Sequence, residues 1–323
     1  MIARDSWAEG PAGRIRLRWT LPPGEGPFPW VMYLPGYAAG GLGFFPEPAV
    51  DPLRCLLGEL SAAGYATARA EKRGMGGSGG PRAADAGFED EHDDLRAALA
   101  AVVAAPWVDG RPGALLGHSI GGLHAPRLAA GAAAVRAVAL SGVGWLTWAE
   151  YLLANQRRVL AMAGAGPVEI EARLRALERF NARVLQEGAH PAAALAGIEA
   201  HREWLGVDAE GRLHGRTGRY WQEVQACPVA APLLALTVPV LAMWGASDWQ
   251  SQREEHVAMA AAINAARPGG ARFVEIAGAD HDWRAHPTPE ASMAARWTGD
   301  FADGVAEALL GWLPGAGVSA SGR

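Results

Sequence analysis

The segment ALLGHSIGGLHAPRLAA, Ala114 to Ala130, decides the fold. Its first residues end a short apolar run of the kind that forms a buried parallel strand, and from Ile120 onward the pattern is that of an amphipathic helix. Between them stands Gly117-His118-Ser119-Ile120-Gly121, a G-x-S-x-G turn. A strand passes into a helix this abruptly only if the positions two before and two after the serine are almost free of side chain, and both are glycine. Such a turn exposes the Ser119 hydroxyl above a helix N-terminus, whose dipole favours developing negative charge. In a chain with 42 glycines the bare pattern arises by chance. Its place between a strand and a helix gives it weight.

Working outward, short apolar runs recur at Trp30–Leu34, Tyr65–Ala70, Val135–Leu140 and Val238–Trp244, with a strand-like stretch at Arg272–Ile276. Arg14–Leu21 alternates Ile15, Leu17 and Trp19 with arginines and reads as a half-exposed strand. Helix-length amphipathic segments lie between them: Asp51–Ala63, Asp90–Ala104, Ile120–Ala130, Gln252–Ala266 and Ser292–Leu313. Alternation of this kind predicts an α/β fold, a mostly parallel central sheet with helices on both faces. It stops between about Trp145 and Leu236, where Ile170, Leu174, Leu177, Phe180 and Val184 follow helical spacing behind Pro167. The expected organisation is a core over residues 1–144 and 237–313, a helical cap inserted at 145–236, and a flexible Gly/Ala/Ser-rich tail at 314–323.

A serine hydroxyl needs a neighbouring base. His281, in Ala277-Gly-Ala-Asp-His281 just after a strand-like run, is the candidate, with His286 as the fallback. His118 is expected to pack or line a pocket, because neighbours at a tight turn point in different directions. His92, His190, His201 and His214 sit in polar or inserted segments and are expected at the surface. The carboxylate that would orient the base is Asp248, at the end of Val240-Leu-Ala-Met-Trp-Gly-Ala-Ser-Asp248; Asp280 and Asp282, flanking His281, are the competing candidates. Two backbone N–H groups should receive the oxyanion. Ile120 supplies one, and Tyr37, in the small-residue loop Leu34–Gly41, the other.

The order Ser, Asp, His, together with Pro35-Gly36-Tyr37 in the place of a His-Gly-x segment and Arg73-Gly-Met-Gly-Gly-Ser78 as an R-G-x-G-x-S turn, resembles the α/β-hydrolase superfamily over residues 14–144 and 237–313. Pro35 in place of the histidine is the departure. Within the superfamily the chain is most similar to bacterial capped serine hydrolases related to esterases and prolyl-oligopeptidase-like enzymes. The resemblance implies acyl transfer through an acyl-serine, with a carboxylic ester as first-choice substrate. Thioesterase, peptidase, cyclase and acyltransferase use the same chemistry, and a non-catalytic ligand-binding protein of this fold is the reading from another class.

Other signals are set aside. Gly74-Met-Gly-Gly-Ser-Gly79 matches a dinucleotide fingerprint formally, but Pro81 and a polar loop follow where a helix should start. The acidic run Glu89–Asp94 reads as the solvated start of a helix, so no metal is expected, and no cofactor is implied. Net charge of −5 without a Lys/Arg cluster excludes a nucleic-acid partner. Lys72 is the only lysine, and Cys55 and Cys227 are too few for a disulfide framework. The first residues lack a signal peptide's apolar run, and no stretch suits a membrane span, so a cytoplasmic protein acting on a small acyl substrate is expected. The sequence leaves the oligomeric state open. Of 13 tryptophans, Trp145, Trp148, Trp249 and Trp283 fall near the expected serine loop. They either wall an acyl pocket or pack the cap onto the sheet.

Overall fold

Trp30–Leu34 forms strand β3, and all five of its residues are buried in the computed structural model. The structure describes residues 2–37 and 50–320. These form an eight-stranded sheet in the order β1-β2-β4-β3-β5-β6-β7-β8: β1 (Ile2–Gly10), β2 (Gly13–Leu21), β3, β4 (Ala66–Ala70), β5 (Gly113–His118), β6 (Val135–Ser141), β7 (Val240–Gly245) and β8 (Ala271–Ile276). Pairing is antiparallel for β1 with β2 and β2 with β4, and parallel from there on. This is the α/β-hydrolase fold.

Continuous apolar runs are what a sheet covered on both faces requires, because successive side chains point to opposite sides. Met32, Leu34, Leu115, Val138, Leu140, Val240 and Ala242 enter one core cluster, and the intervening Val31, Tyr33, Leu116, Ala139, Leu241 and Met243 enter another. Helices α2 (Phe88–Val103), α3 (Gly121–Ala130) and α9 (Arg253–Ala266) cover the first face; α1 (Pro52–Ala62) and α11 (Gly304–Trp312) cover the second. Parallel strands deliver their following loops to one edge. The segments after β3, β5, β6, β7 and β8 therefore converge there.

Between β6 and β7 lie α4 (Trp148–Met162), α5 (Pro167–Asn181) with a π-helical turn at Ala182–Gln186, α6 (Pro191–Ala194), α7 (Gly218–Ala226) and α8 (Ala230–Ala235). Leu174, Leu177, Phe180, Val184, Tyr220 and Trp221 build a third cluster, which takes in Phe88 from α2 and Ile120 beside the serine. The packing of this segment is narrower than its span, since Leu233, Leu236 and Trp145 join the first cluster. Among the described residues no helix is long and apolar enough to cross a membrane.

Several expectations are corrected. Ser292–Leu313 is not one helix: α10 (Pro289–Ala295) ends where Arg296 and Trp297 take φ of 46° and 71°, and the chain resumes helix only at α11. The break lets the Gly299 carbonyl accept from Arg284 Nη1 at 2.9 Å. The tail is not free over 314–320, because Ala316 and Val318 seal the second cluster and the Val318 carbonyl accepts from Tyr65 Oη at 3.0 Å; residues 321–323 lie outside the described ones. Strand β1 went unread because only Ala8 of its nine residues is buried. It is held by its ladder to β2.

The acidic start of α2 is not wholly solvated. Glu91 and Asp94 are buried, accepting from Lys72 Nζ and Arg73 Nε, each at 2.7 Å. Both cations sit at the Arg73–Ser78 turn, so the ion pairs tie that turn to α2, and buried charge of this kind is tolerated only when paired. His92 is also buried. Its Nδ1 lies 3.3 Å from Nδ1 of His124 on α3, whose ring stacks on Phe88 at 4.0 Å.

Burial, reinforced by Arg127, pushes His92 down to about 4, and burial holds His124 well below the ordinary histidine value. The unfolded chain takes up these protons below about pH 6.5 while the folded one does not, so their contribution to stability is lost as pH falls toward 4. The urea midpoint should drop between pH 7 and 5, and drop less in His124→Leu. An equal drop in both proteins would refute this assignment.

Candidate active site

β5 ends at His118 and α3 begins at Gly121, leaving Ser119 and Ile120 to make the whole turn. Ser119 has φ of 52°, the left-handed region that side chains avoid. The strain is held by hydrogen bonds on both sides: Ser119 N donates to the Ser141 carbonyl at 2.9 Å, and Gly122 N donates to the Ser119 carbonyl at 2.8 Å. A Cβ on Gly121 would lie 2.3 Å from the Leu34 carbonyl oxygen, which is why the motif ends in glycine. Ser119 itself is half-buried.

His281 and Asp248, distant in sequence, meet at the same edge. His281 Nδ1 is 2.9 Å from Asp248 Oδ2, and both side chains are almost fully removed from water. The rest of the carboxylate is occupied as well: Oδ1 accepts from Gln250 N at 2.6 Å and Ser251 N at 2.8 Å, and Oδ2 also accepts from Ser251 Oγ. Burial alone would raise the Asp248 pKa, but His281 and the Ser251 donors outweigh it and hold the carboxyl low. Burial likewise works against a charged His281, yet the Asp248 charge and hydrogen bond, joined by Asp282 and Asp280, raise its pKa. Of the competing residues, Asp280 and His286 are engaged elsewhere. Asp280 Oδ1 accepts from the N–H groups of Asp282 and Arg284, and its Oδ2 from Ser292 Oγ; His286 Nε2 donates to the Thr298 carbonyl at 2.9 Å.

His118 braces this arrangement. Its Nε2 lies 2.7 Å from the His281 carbonyl, which can only accept, so the proton is on Nε2 and Nδ1 accepts from Tyr33 Oη at 3.3 Å. Burial drives the His118 pKa down to about 3, so the ring is neutral. Trp283 packs 4.7 Å from His118 and donates Nε1 to Ser141 Oγ at 2.9 Å.

Of the two expected oxyanion donors, Ile120 opens α3, where backbone N–H groups have no intrahelical partner. Tyr37 is tied to the inserted helices: Oη donates to the His214 carbonyl at 3.2 Å, its own carbonyl accepts from Arg216 Nη2 at 3.1 Å, and its ring lies 5.6 Å from Trp221. Arg216 is fully buried and paired with Glu91 at 2.6 Å. Residues 38–41 of that loop lie outside the described ones.

The tryptophans divide. Trp283 is 3% exposed and braces the core under the site, and Trp145 packs into the first cluster, so neither walls a pocket. Trp148 stacks between Tyr151 at 4.9 Å and Trp221 at 5.0 Å, continuing the row that starts at Tyr37. Trp249 is half-buried against Trp297. Sequence reading missed Tyr33 and Arg216, whose partners lie far away along the chain, and Tyr151, which stacks on Trp148. A cavity of about 420 Å³ lined by His190, Glu210, Arg212 and Gln222 belongs to the inserted helices and touches none of Ser119, His281 and Asp248. Among the described residues no group of three or more His, Cys, Asp or Glu side chains is arranged for a metal ion.

Gly142, which follows β6 with φ of 63°, lies directly under the His281 ring. A Cβ there would come 2.7 Å from His281 Cε1 and 2.8 Å from Nδ1. Gly142→Ala should displace the imidazole and slow phosphonylation of Ser119 by a fluorophosphonate at least ~100-fold, the cost of roughly 1 Å of misplacement, while cooperative unfolding persists. An unchanged labelling rate would contradict the placement of the ring.

A family model described as "Serine aminopeptidase, S33" matches residues 53–284. No curated protein matches the chain. Among solved structures, it is similar to DcsB, described in complex with its substrate analogue, at 19% identity over 98% of this chain and 99% of that one, with a TM-score of 0.61. It is also similar to a carboxyl esterase from Bacillus coagulans (17% identity, 98% and 99% coverage, TM-score 0.58) and to Est1E from Butyrivibrio proteoclasticus (15%, 97% and 98%, 0.57). At these identities the solved structures speak for the fold. The family match covers most of the chain, and with it the protein belongs to the serine aminopeptidase S33 family of α/β-hydrolase enzymes.

Proposed function

We propose that the chain cleaves a carboxylic ester through an acyl-serine intermediate, with Ser119 as nucleophile, His281 as general base and Asp248 as the acid that orients it. The observation carrying this reading is the buried 2.9 Å contact between His281 Nδ1 and Asp248 Oδ2, at the same sheet edge as a serine held at φ of 52°. Asp248 accepts a hydrogen bond from Nδ1–H and stays ionised, which leaves Nε2 free to take the Ser119 proton as the hydroxyl attacks the carbonyl. The N–H groups of Ile120 and Tyr37 receive the oxyanion. Imidazolium formed in attack is stabilised by the adjacent carboxylate and returns its proton to the leaving group. Water, activated by the same base, then releases the acid.

In this reading residues 145–236 act as a cap, and Trp148 with Tyr151, Trp221 and Trp249 forms an apolar, aromatic wall for a small-molecule acyl substrate. The description of the family supports a second reading, peptide-bond cleavage at an N-terminal residue by the same three side chains. Thioesterase, acyltransferase and cyclase activities differ only in the donor or acceptor.

Intact mass after exposure to a fluorophosphonate, followed by peptide mapping, should give one adduct on Ser119 and none in Ser119→Ala, whose turnover of p-nitrophenyl esters should fall by about 10⁵- to 10⁶-fold. Preference for aminoacyl p-nitroanilides over these esters would favour the peptidase reading, and absence of any adduct would favour a non-catalytic protein. Because the His281 pKa is raised and the base acts when neutral, kcat/KM should climb with pH through a limb lying above the ordinary histidine value. Asp248→Asn should lower kcat by about 10⁴-fold and move that limb to lower pH. A limb that stays in place would remove Asp248 from its role.

A further inference from the structure

The segment that follows the acid, Asp248 to Ser251, turns into α9 with its carbonyls directed toward α4. Two side chains of α4, one helical turn apart, receive all four. Asn155 Nδ2 donates to the Trp249 carbonyl at 3.0 Å and to the Gln250 carbonyl at 2.7 Å. Arg158 Nη2 donates to the Asp248 carbonyl at 3.3 Å and to the Ser251 carbonyl at 3.0 Å. Among the described residues none of the four takes a backbone N–H; the one further donor is Trp244 Nε1, 3.3 Å from the Ser251 carbonyl. Asn155 is 4% exposed although it lies on a helix with few buried residues. An asparagine spends both amide hydrogens here on neighbouring carbonyls, which fixes their separation and direction.

We infer that Asn155 and Arg158 are positioning residues for Asp248, so that the first helix of the inserted segment is a working part of the acid limb. The inference rests on the roles proposed for Ser119, His281 and Asp248. The same turn whose carbonyls α4 holds supplies the N–H groups of Gln250 and Ser251 to Asp248 Oδ1. Peptide planes are rigid, so a carbonyl fixed on one side fixes the next N–H on the other. The clamp is reciprocal: α9 holds the chain entering α4, with His256 Nε2 accepting from Val143 N at 3.1 Å and Glu255 Oε2 accepting from Trp145 N at 2.7 Å and Leu146 N at 3.2 Å. Gly142, under the His281 ring, is the residue immediately before that entering chain. Acid and base are therefore set by one α4–α9 unit, and any opening of the cap must hinge beyond α4.

The test uses the full chain with Asn155→Leu and Arg158→Met, which keep side-chain bulk while removing the donors. Expected are a 10- to 100-fold fall in kcat on p-nitrophenyl esters, an equal fall in the rate of Ser119 phosphonylation, and KM within twofold of wild type. Arg158→Ala should regain part of its rate when guanidinium ion is added at millimolar concentration, a recovery that a packing role would not give. Unchanged kcat in folded variants, or loss confined to KM, would overturn the inference. If a variant fails to fold, the other variant and the guanidinium rescue still decide. Failure of wild type to label at Ser119 would instead overturn the catalytic reading on which the inference rests.

Discussion

A carboxylate and an imidazole 2.9 Å apart, both nearly sealed from water, set the terms for the rest of the molecule. Removing either group from solvent is costly on its own, and the contact is stable only because each offsets the desolvation of the other and the remaining lone pairs are filled. The surroundings follow from that demand. Ser251 and Gln250 turn their N–H groups inward to complete Asp248, and α4 completes the turn from outside. Around His281, Gly142 removes a side chain from beneath the ring, and His118 anchors its carbonyl.

The side proposed to receive the oxyanion is organised in parallel. Tyr37 is gripped through its hydroxyl, ring and carbonyl by the inserted helices, and Arg216, which holds that carbonyl, shares Glu91 with Lys72. Ile120 places its side chain in the cluster that those same helices build. The inserted segment thus reaches both Tyr37 and the turn that follows Asp248. It does so with buried polar groups, which hold direction as well as proximity.

What could be read from the chain divides along physical lines. Runs such as Trp30–Leu34 and the glycines around Ser119 carry local signals, burial on two faces and a turn with no space, and both survive without knowledge of the fold. Asp248 and His281 were legible because each ends a strand-like run, although their contact is a tertiary fact. Asn155, Arg158 and Arg216 had no such marker: a polar residue on an amphipathic helix looks solvent-facing until its partner, some 90 to 180 positions away, is known. Trp283 misled for the converse reason. Its place beside the base suggested a pocket wall, but φ of 65° turns it inward to Ser141. The acidic start of α2 misled similarly, since charge on a helix suggests water until Lys72, Arg73 and Arg216 supply its cations.

The pairing of Lys72 with Glu91 reaches beyond folding. Lys72 is the only lysine in the chain, and its side chain is 5% exposed with its ammonium already committed. The folded protein therefore presents no lysine to amine-directed reagents, to acetylating or ubiquitin-conjugating enzymes, or to a surface activated for amine coupling. Attachment to a solid support through lysine is closed, which leaves the terminal α-amino group, arginine, carboxylate or thiol chemistry. Conversely, acylation of Lys72 would report that its ion pair with Glu91 had opened, making this single lysine an internal gauge of local unfolding.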